Sequence, residues 1–216
     1  GKLAATVFTG GCNLRCPFCH NALLVTRLAE TPEIPEQEVL DFLASRRGLL
    51  DGVVLTGGEP LLQPDAADFL RKVRELGFAV KLDTNGCDPA RLAEILDRGL
   101  VDYVAMDVKN APARYAETVG VPDFDLAPVE ESIRLLRKST VDYEFRTTLV
   151  RELHRPEDLD AIAAWLAGSP RYYLQNFVDS GNLIGRGYHG FTAEELRGFA
   201  ERVRPFFGAV ELRGVD

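Results

Sequence analysis

Val53-Val54-Leu55-Thr56-Gly57-Gly58-Glu59-Pro60 sets the pattern of the whole chain, an apolar β-branched run that breaks abruptly into a polar, glycine-rich tail. The same grammar recurs along the chain. Ala4 to Phe8 is followed by Thr9 to Cys19, Ala79 to Leu82 by Asp83 to Gly86, and Tyr103 to Met106 by Asp107 to Lys109. Further strand-like runs lie at Tyr143 to Leu149, Tyr172 to Leu174 and Ala209 to Leu212. Between the runs, apolar residues at helical spacing predict helices over Glu36 to Arg47, Asp65 to Leu76, Pro89 to Arg98, Pro128 to Lys138, Pro156 to Ala167 and Thr192 to Phe206. Pro64-Asp65, Asp88-Pro89, Pro128 and Pro156 are helix-start signals, because proline presets φ where its missing amide costs little. Gly77 and Gly99 suit helix ends.

Nearly continuous apolar strands alternating with amphipathic helices predict an α/β fold with a parallel sheet covered by helices. Both a β/α barrel and an open doubly wound sheet satisfy that alternation. The polar tails after successive strands favour the barrel, whose active site is assembled from the C-terminal ends of many strands. An open sheet gathers its ligand at one switch point and leaves some of the tails without a role. The expectation is a partial (β/α)6 TIM-like barrel.

The 216 residues, 46% hydrophobic and 27% charged, are those of a globular chain with a packed core, and are read as one domain over residues 1–216. No apolar run approaches the ~18 residues of a membrane-spanning helix, and Gly1-Lys2-Leu3 has no secretory pattern, so a cytoplasmic protein without membrane partners is expected. A start at Gly directly before a strand points to a native segment ahead of it. A net charge of -8 without a Lys/Arg cluster argues against nucleic acid as a partner.

Three of the four cysteines fall within Gly11-Cys12-Asn13-Leu14-Arg15-Cys16-Pro17-Phe18-Cys19, a CxxxCxxC loop ending the first strand. Thiols so close together make a poor disulfide framework and a good cluster or metal site in a reducing compartment. Three thiolates can ligate three irons of a cubane and leave the fourth iron open. A zinc site would need a fourth ligand, for which His20 is nearest, and a thioredoxin-like CxxC pair is the other ordinary reading.

At these residues the chain resembles the radical S-adenosylmethionine superfamily, whose signature is CxxxCxΦC with an aromatic before the last cysteine, here Phe18. The resemblance implies that Cys12, Cys16 and Cys19 carry a [4Fe-4S] cluster whose open iron is chelated by S-adenosyl-L-methionine. An electron passed through the cluster then breaks a sulfur to carbon bond, giving methionine and a 5'-deoxyadenosyl radical. The cofactor carries the hard chemistry, and the protein orients it. Phe18 would lie near the adenine or anchor the loop.

Gly57-Gly58-Glu59-Pro60, alone an ordinary turn, is similar to the family's GGEP motif, which binds the methionine amino group. Asp83-Thr84-Asn85-Gly86 and Asp107-Val108-Lys109 resemble the DTNG and D-x-K motifs of the branch that activates glycyl-radical enzymes. By that resemblance Asp83, Thr84 and Asp107 help bind a monovalent cation beside the cofactor carboxylate, with Asn85 at the same rim and Lys109 nearby. Unaided, the first motif reads as an Asx-type turn and the second as a solvated strand end.

Arg146 resembles the family's strand-five arginine, which grips the carboxylate or ribose; the plain alternative is an ion pair with Glu144 or Asp142. Leu174 to Phe177 ends strand six, where activases contact adenine, although the usual residues are not matched. Isolated Cys87 is a fourth ligand, a reactive thiol or a small core residue, and His20, His154 and His189 are read as structural or solvent-facing, with His20 the exception if one exists.

No cysteine-rich insertion lies between Cys19 and Gly57, so a single cluster is expected. Cys19-His20-Asn21 and the compact length match the anaerobic ribonucleoside-triphosphate reductase activating branch. The implied partners are a glycyl-radical protein as substrate and an electron donor such as a flavodoxin or ferredoxin, in an anaerobic setting. The alternatives are a radical enzyme acting on a small molecule or ribosomal peptide, and a non-catalytic metal-binding module.

Overall fold

The computed structural model describes residues 1–215. Seven strands are present among them: β1 (Ala4–Thr9), β2 (Gly52–Gly57), β3 (Ala79–Thr84), β4 (Tyr103–Asp107), β5 (Asp142–Leu149), β6 (Arg171–Asn176) and β7 (Ala209–Arg213). They follow one another in sequence order across the sheet, β1-β2-β3-β4-β5-β6-β7. This order contains no reversal, which an open doubly wound sheet requires, and it is the order of a β/α barrel. The fold class is α/β, a partial TIM-like barrel with six strand-to-helix steps and a closing strand.

The helices are α1 (Ala22–Thr26), α2 (Glu36–Ser45), α3 (Ala66–Glu75), α4 (Pro89–Asp97), α5 (Tyr115–Val119), α6 (Ala127–Lys138), α7 (Pro156–Leu166) and α8 (Ala193–Val203). Pro89 and Pro156 open α4 and α7 and Pro128 falls in the first turn of α6, as expected, whereas Pro64 lies one residue ahead of the Asp65 N-cap of α3. Asp88 accepts the Arg91 amide at 3.0 Å ahead of Pro89, and Thr192 and Glu195 form a reciprocal capping box on α8. The expected helices survive within a residue or two, except that Thr192 to Phe206 divides into α8 and a short 3-10 turn at Arg204–Phe206.

Two compact units make up the chain. The first comprises Gly1–Asn13, Leu23–Ala105 and Pro128–Asp142. It holds β1, β2 and β3, with α3 burying Ala66, Phe69, Leu70 and Val73 on one stripe and α4 burying Leu92 and Ile95. Parallel register pairs Thr9 with Gly57 and Leu55 with Leu82. The C-terminal ends of β1, β2 and β3 are therefore level, and the tails beginning at Gly10, Gly58 and Asn85 emerge side by side.

The second unit comprises Leu14–Ala22, Met106–Ala127 and Tyr143–Asp216. Its core joins Phe145 and Leu149 of β5, Tyr172 and Leu174 of β6, Ile162 and Leu166 of α7 and Leu196 and Val203 of α8, all essentially sealed from solvent. The Tyr172 hydroxyl, buried among them, donates to Thr147 Oγ at 2.8 Å, which satisfies the only polar atom of that ring. No helix among the described residues is long and apolar enough to cross a membrane.

Candidate active site

In the first unit the site begins with backbone against backbone. Gly57 adopts φ +124°, a conformation that L side chains rarely take, and a Cβ on Gly58 would sit 1.9 Å from the Gly11 carbonyl oxygen. The two tails lock there, as the Glu59 amide donates to that same Gly11 carbonyl at 2.8 Å and the Gly58 amide to Thr9 at 2.9 Å. The GGEP segment thus fixes the root of the cysteine loop. Gly58→Ala must push the Gly11 backbone away; a loss of about 2 kcal/mol, in the range of overpacked sites, is expected from denaturant melts.

The Glu59 side chain is 1% exposed. Its Oε1 accepts the Leu61 amide at 3.1 Å and the Thr84 hydroxyl at 2.7 Å, and its Oε2 accepts the Asn85 amide at 2.7 Å. A buried carboxylate with three donors is satisfied by the protein itself. Glu59 therefore ties the end of β2 to the end of β3. From β3, Asp83 pairs with Lys81 at 2.8 Å, while Asn85 extends its amide to Asn13 Oδ1 at 2.9 Å and to Cys12 Sγ at 3.8 Å. Asn13 was not among the expected residues; its place inside the cysteine loop is the one sequence signal it carries.

In the second unit Asp107, at the end of β4, receives a cation on each oxygen: Arg146 Nε on Oδ1 and Lys109 Nζ on Oδ2, the latter at 2.8 Å. The carboxylate that Arg146 takes is Asp107, and Glu144, expected as its partner, is held by Arg213 at 3.0 Å. β5 explains this difference. Alternate residues of a strand face opposite ways, so the neighbours Glu144 and Arg146 share a face, but β4 and β7 lie on opposite sides of β5 and β6 and offer each a separate counter-charge.

Burial works against the Asp107 charge, but Arg146 and then Lys109 outweigh it and hold the carboxyl well below its usual value. Burial likewise works against the Lys109 charge, and Asp107 and then Cys16 overcome it, so the ammonium stays charged far above the ordinary lysine value. Cys16 belongs to the cysteine loop. The loop itself is well anchored: Arg15 donates its amide to Val119 at 2.9 Å, Gly185 donates to Pro17 at 2.6 Å, and His20 stacks on Phe177 at 5.3 Å. Cys16 and Phe18 are buried, Cys12, Cys19 and Cys87 are half-buried, and none of the four cysteines is in a disulfide. Leu174 is fully buried in β6.

His154 is 3% exposed; its Nδ1 accepts the Val150 amide at 3.1 Å and its Nε2 donates to the Lys109 carbonyl at 2.8 Å, the tautomer being assigned from these partners. Burial lowers its pKa below 6.5, against the backbone bonds and Asp158, which favour the charge, and with Arg114, which opposes it. A histidine with a depressed folded pKa stabilises fully above its unfolded value and less as the pH falls below about 6.5. Stability should therefore drop between pH 7 and 5 in denaturant melts, and His154→Gln should remove that part of the slope. His189 is surface-exposed and pairs with Glu152 at 2.8 Å.

The donor chemistry fits an iron-sulfur cluster: three free thiols at CxxxCxxC spacing in one stretch of chain, whose root at Gly11 is held by the GGEP tail. Among the described residues no three His, Cys, Asp or Glu side chains gather as ligands of a single ion. Comparison with known proteins agrees with the donor chemistry. Residues 6–166 match the family described as the Radical SAM superfamily. The chain is 36% identical over 184 residues to a Methanocaldococcus jannaschii protein named "Putative glycyl-radical enzyme activating enzyme", covering 82% of this chain and 73% of that one. It is 33% identical over 171 residues to the 7-carboxy-7-deazaguanine synthase of Methanopyrus kandleri, covering 70% of this chain and 64% of the relative. Among solved structures, Streptococcus suis SuiB bound to S-adenosylmethionine superposes with a TM-score of 0.75 at 17% identity, over 98% of this chain and 50% of that one. The cysteine loop, the strand order and these matches agree: the chain belongs to the radical S-adenosylmethionine superfamily, with relatives in its glycyl-radical activating branch.

Proposed function

We propose that this protein activates a glycyl-radical enzyme by removing a hydrogen atom from a glycine of that partner. The observation that carries the reading is the level placement of the cysteine loop, the GGEP tail and the DTNG tail at the ends of β1, β2 and β3, joined through Gly11, Glu59 and Asn85. Cys12, Cys16 and Cys19 would hold a [4Fe-4S] cluster. With S-adenosylmethionine bound and one electron delivered by a donor of the flavodoxin or ferredoxin class, the cluster supplies reductive cleavage of the sulfur to 5'-carbon bond.

The chain's own residues bind and orient. Gly57, Gly58 and Pro60 bring backbone close to the methionine end, and Glu59 keeps Thr84 and Asn85 in place. Asp83 and Thr84 are proposed beside a monovalent cation, while Lys109 and Arg146, held on Asp107, offer positive charge to the cofactor carboxylate. Phe18 and the C-terminal end of β6 are assigned to the adenine side. The reaction would move a hydrogen atom from the partner's glycine Cα to the cofactor's 5'-carbon, giving 5'-deoxyadenosine and a glycyl radical, which balances atoms and electrons. The identity to the methanocaldococcal activating protein favours this partner, and the match to the anaerobic ribonucleotide reductase activating branch rests on Cys19-His20-Asn21.

A second reading, a radical enzyme acting on a small molecule, is favoured by the similarity to the deazaguanine synthase. Anaerobic reconstitution tests both. Reduced protein with S-adenosylmethionine should release methionine and 5'-deoxyadenosine, and addition of a glycyl-radical protein from the same organism should produce a glycyl doublet in electron paramagnetic resonance. Cofactor cleavage without a doublet would reject the activase reading and leave the small-molecule one, and a protein that binds one zinc and leaves the cofactor intact would reject both.

A further inference from the structure

Asn85 has its backbone amide and both polar atoms of its side chain committed. It is 5% exposed, its backbone amide donates to Glu59 Oε2 at 2.7 Å, and its Oδ1 accepts the Cys87 amide at 2.9 Å. The side-chain oxygen being held in an Asx turn, Nδ2 has one direction left, toward the cysteine loop. There it donates to Asn13 Oδ1 at 2.9 Å and to Cys12 Sγ at 3.8 Å, an ordinary reach for a bond to sulfur. Glu59, itself buried and held by Thr84 and Leu61, fixes the backbone from which the amide projects.

From this geometry we infer that Asn85 is a positioning residue that raises the reduction potential of the cluster by donating a hydrogen bond to the Cys12 thiolate. The inference rests on the cluster reading above and deepens it. A thiolate ligand grows more negative when its cluster gains an electron, so a donor aimed at it stabilises the reduced state more than the oxidised one. The Cys12 bond is the one through which Asn85 acts; Asn13 serves to steer the amide. No bond is made or broken in the step affected, which is one-electron reduction of the cluster by the external donor.

The test is a redox titration of reconstituted protein followed by electron paramagnetic resonance, for wild type, Asn85→Leu and Asn85→Ala. Leu keeps the branched shape and removes the donor; Ala guards against a failure of Leu to pack. The expected result is a full cluster complement in the variants with a midpoint potential shifted to more negative values in both. A midpoint unchanged from wild type in a cluster-loaded variant would overturn the inference while leaving the proposed function intact. So would loss of the cluster in both variants, since Asn85 would then be holding the loop together rather than tuning it. Wild-type protein that assembles no cluster would remove the proposed function, and this inference with it.

Discussion

Cys16→Ala protein is expected to fold, to lose most of its iron and sulfide after anaerobic reconstitution, and to release no 5'-deoxyadenosine above background. Cys16 is the buried member of the three, on a loop held from both sides by the Arg15 to Val119 and Gly185 to Pro17 backbone bonds. Those bonds do not involve the thiol, so the loop should survive its removal. A cubane left with two thiolates has two open irons, and exposed irons are lost or converted to smaller clusters; the wild type should hold about four irons per chain. Cys87→Ala provides the contrast. Its neighbour Asn85 holds the Cys87 amide, not its thiol, so this variant should keep both iron and cleavage. If Cys87→Ala lost iron as fully as Cys16→Ala, a fourth thiolate would ligate the cluster and the open iron, on which the cofactor depends, would not exist. Metal analysis and chromatographic assay of deoxyadenosine decide between the outcomes.

The strands were legible because their runs are apolar and β-branched, with β2, β4 and β5 burying successive residues, and their polar tails pointed to the ends at which ligands collect. The strand ends were less so. β2, β3 and β4 run on through Gly57, Thr84 and Asp107, because ladder hydrogen bonds belong to the backbone and are indifferent to the polarity of the side chain. α1 and α5 escaped notice, each being five residues long, too short for a period of 3.6 to show. Within the site, residue types marked the motifs but not their partners. Glu59 reads in sequence as a carboxylate awaiting an ammonium group. In the structure three donors of its own chain surround it, and only register, which no local window of sequence contains, brings Thr84 and Asn85 to it. Asn13 carries no signal beyond its place in the cysteine loop for the same reason, since its bond to Asn85 exists only once β1 and β3 end at the same level.

Asp107→Ala should cost about 3 kcal/mol of stability, the scale on which a mostly buried ion pair fails when one partner is removed. The side chains of Asp107, Lys109 and Arg146 are 24%, 18% and 14% exposed, so removal of Asp107 takes the shared carboxylate from two cations that have little water around them. Cys16 adds some compensation to Lys109, but Arg146 sits on β5 with Asp107 as its close acceptor. Asp107→Asn separates charge from shape. It retains an oxygen for one cation and should lose less than the alanine variant, the difference measuring how much of the arrangement is hydrogen bonding rather than charge. The acid limb gives an independent reading. Burial raises the Asp107 pKa and Arg146 and Lys109 lower it further, so the folded value lies beneath the unfolded 3.8. Its contribution is complete above about pH 3.8 and is lost as the pH falls toward the folded value, because there the unfolded chain binds the proton first. Asp107→Asn should therefore flatten the acid limb of a stability profile below pH 4 while leaving the His154 step between pH 7 and 5 in place. Should both Asp107 variants melt with the wild type, Arg146 and Lys109 must be stabilised by other partners, and the carboxylate at the end of β4 would be free for a ligand rather than committed to the fold.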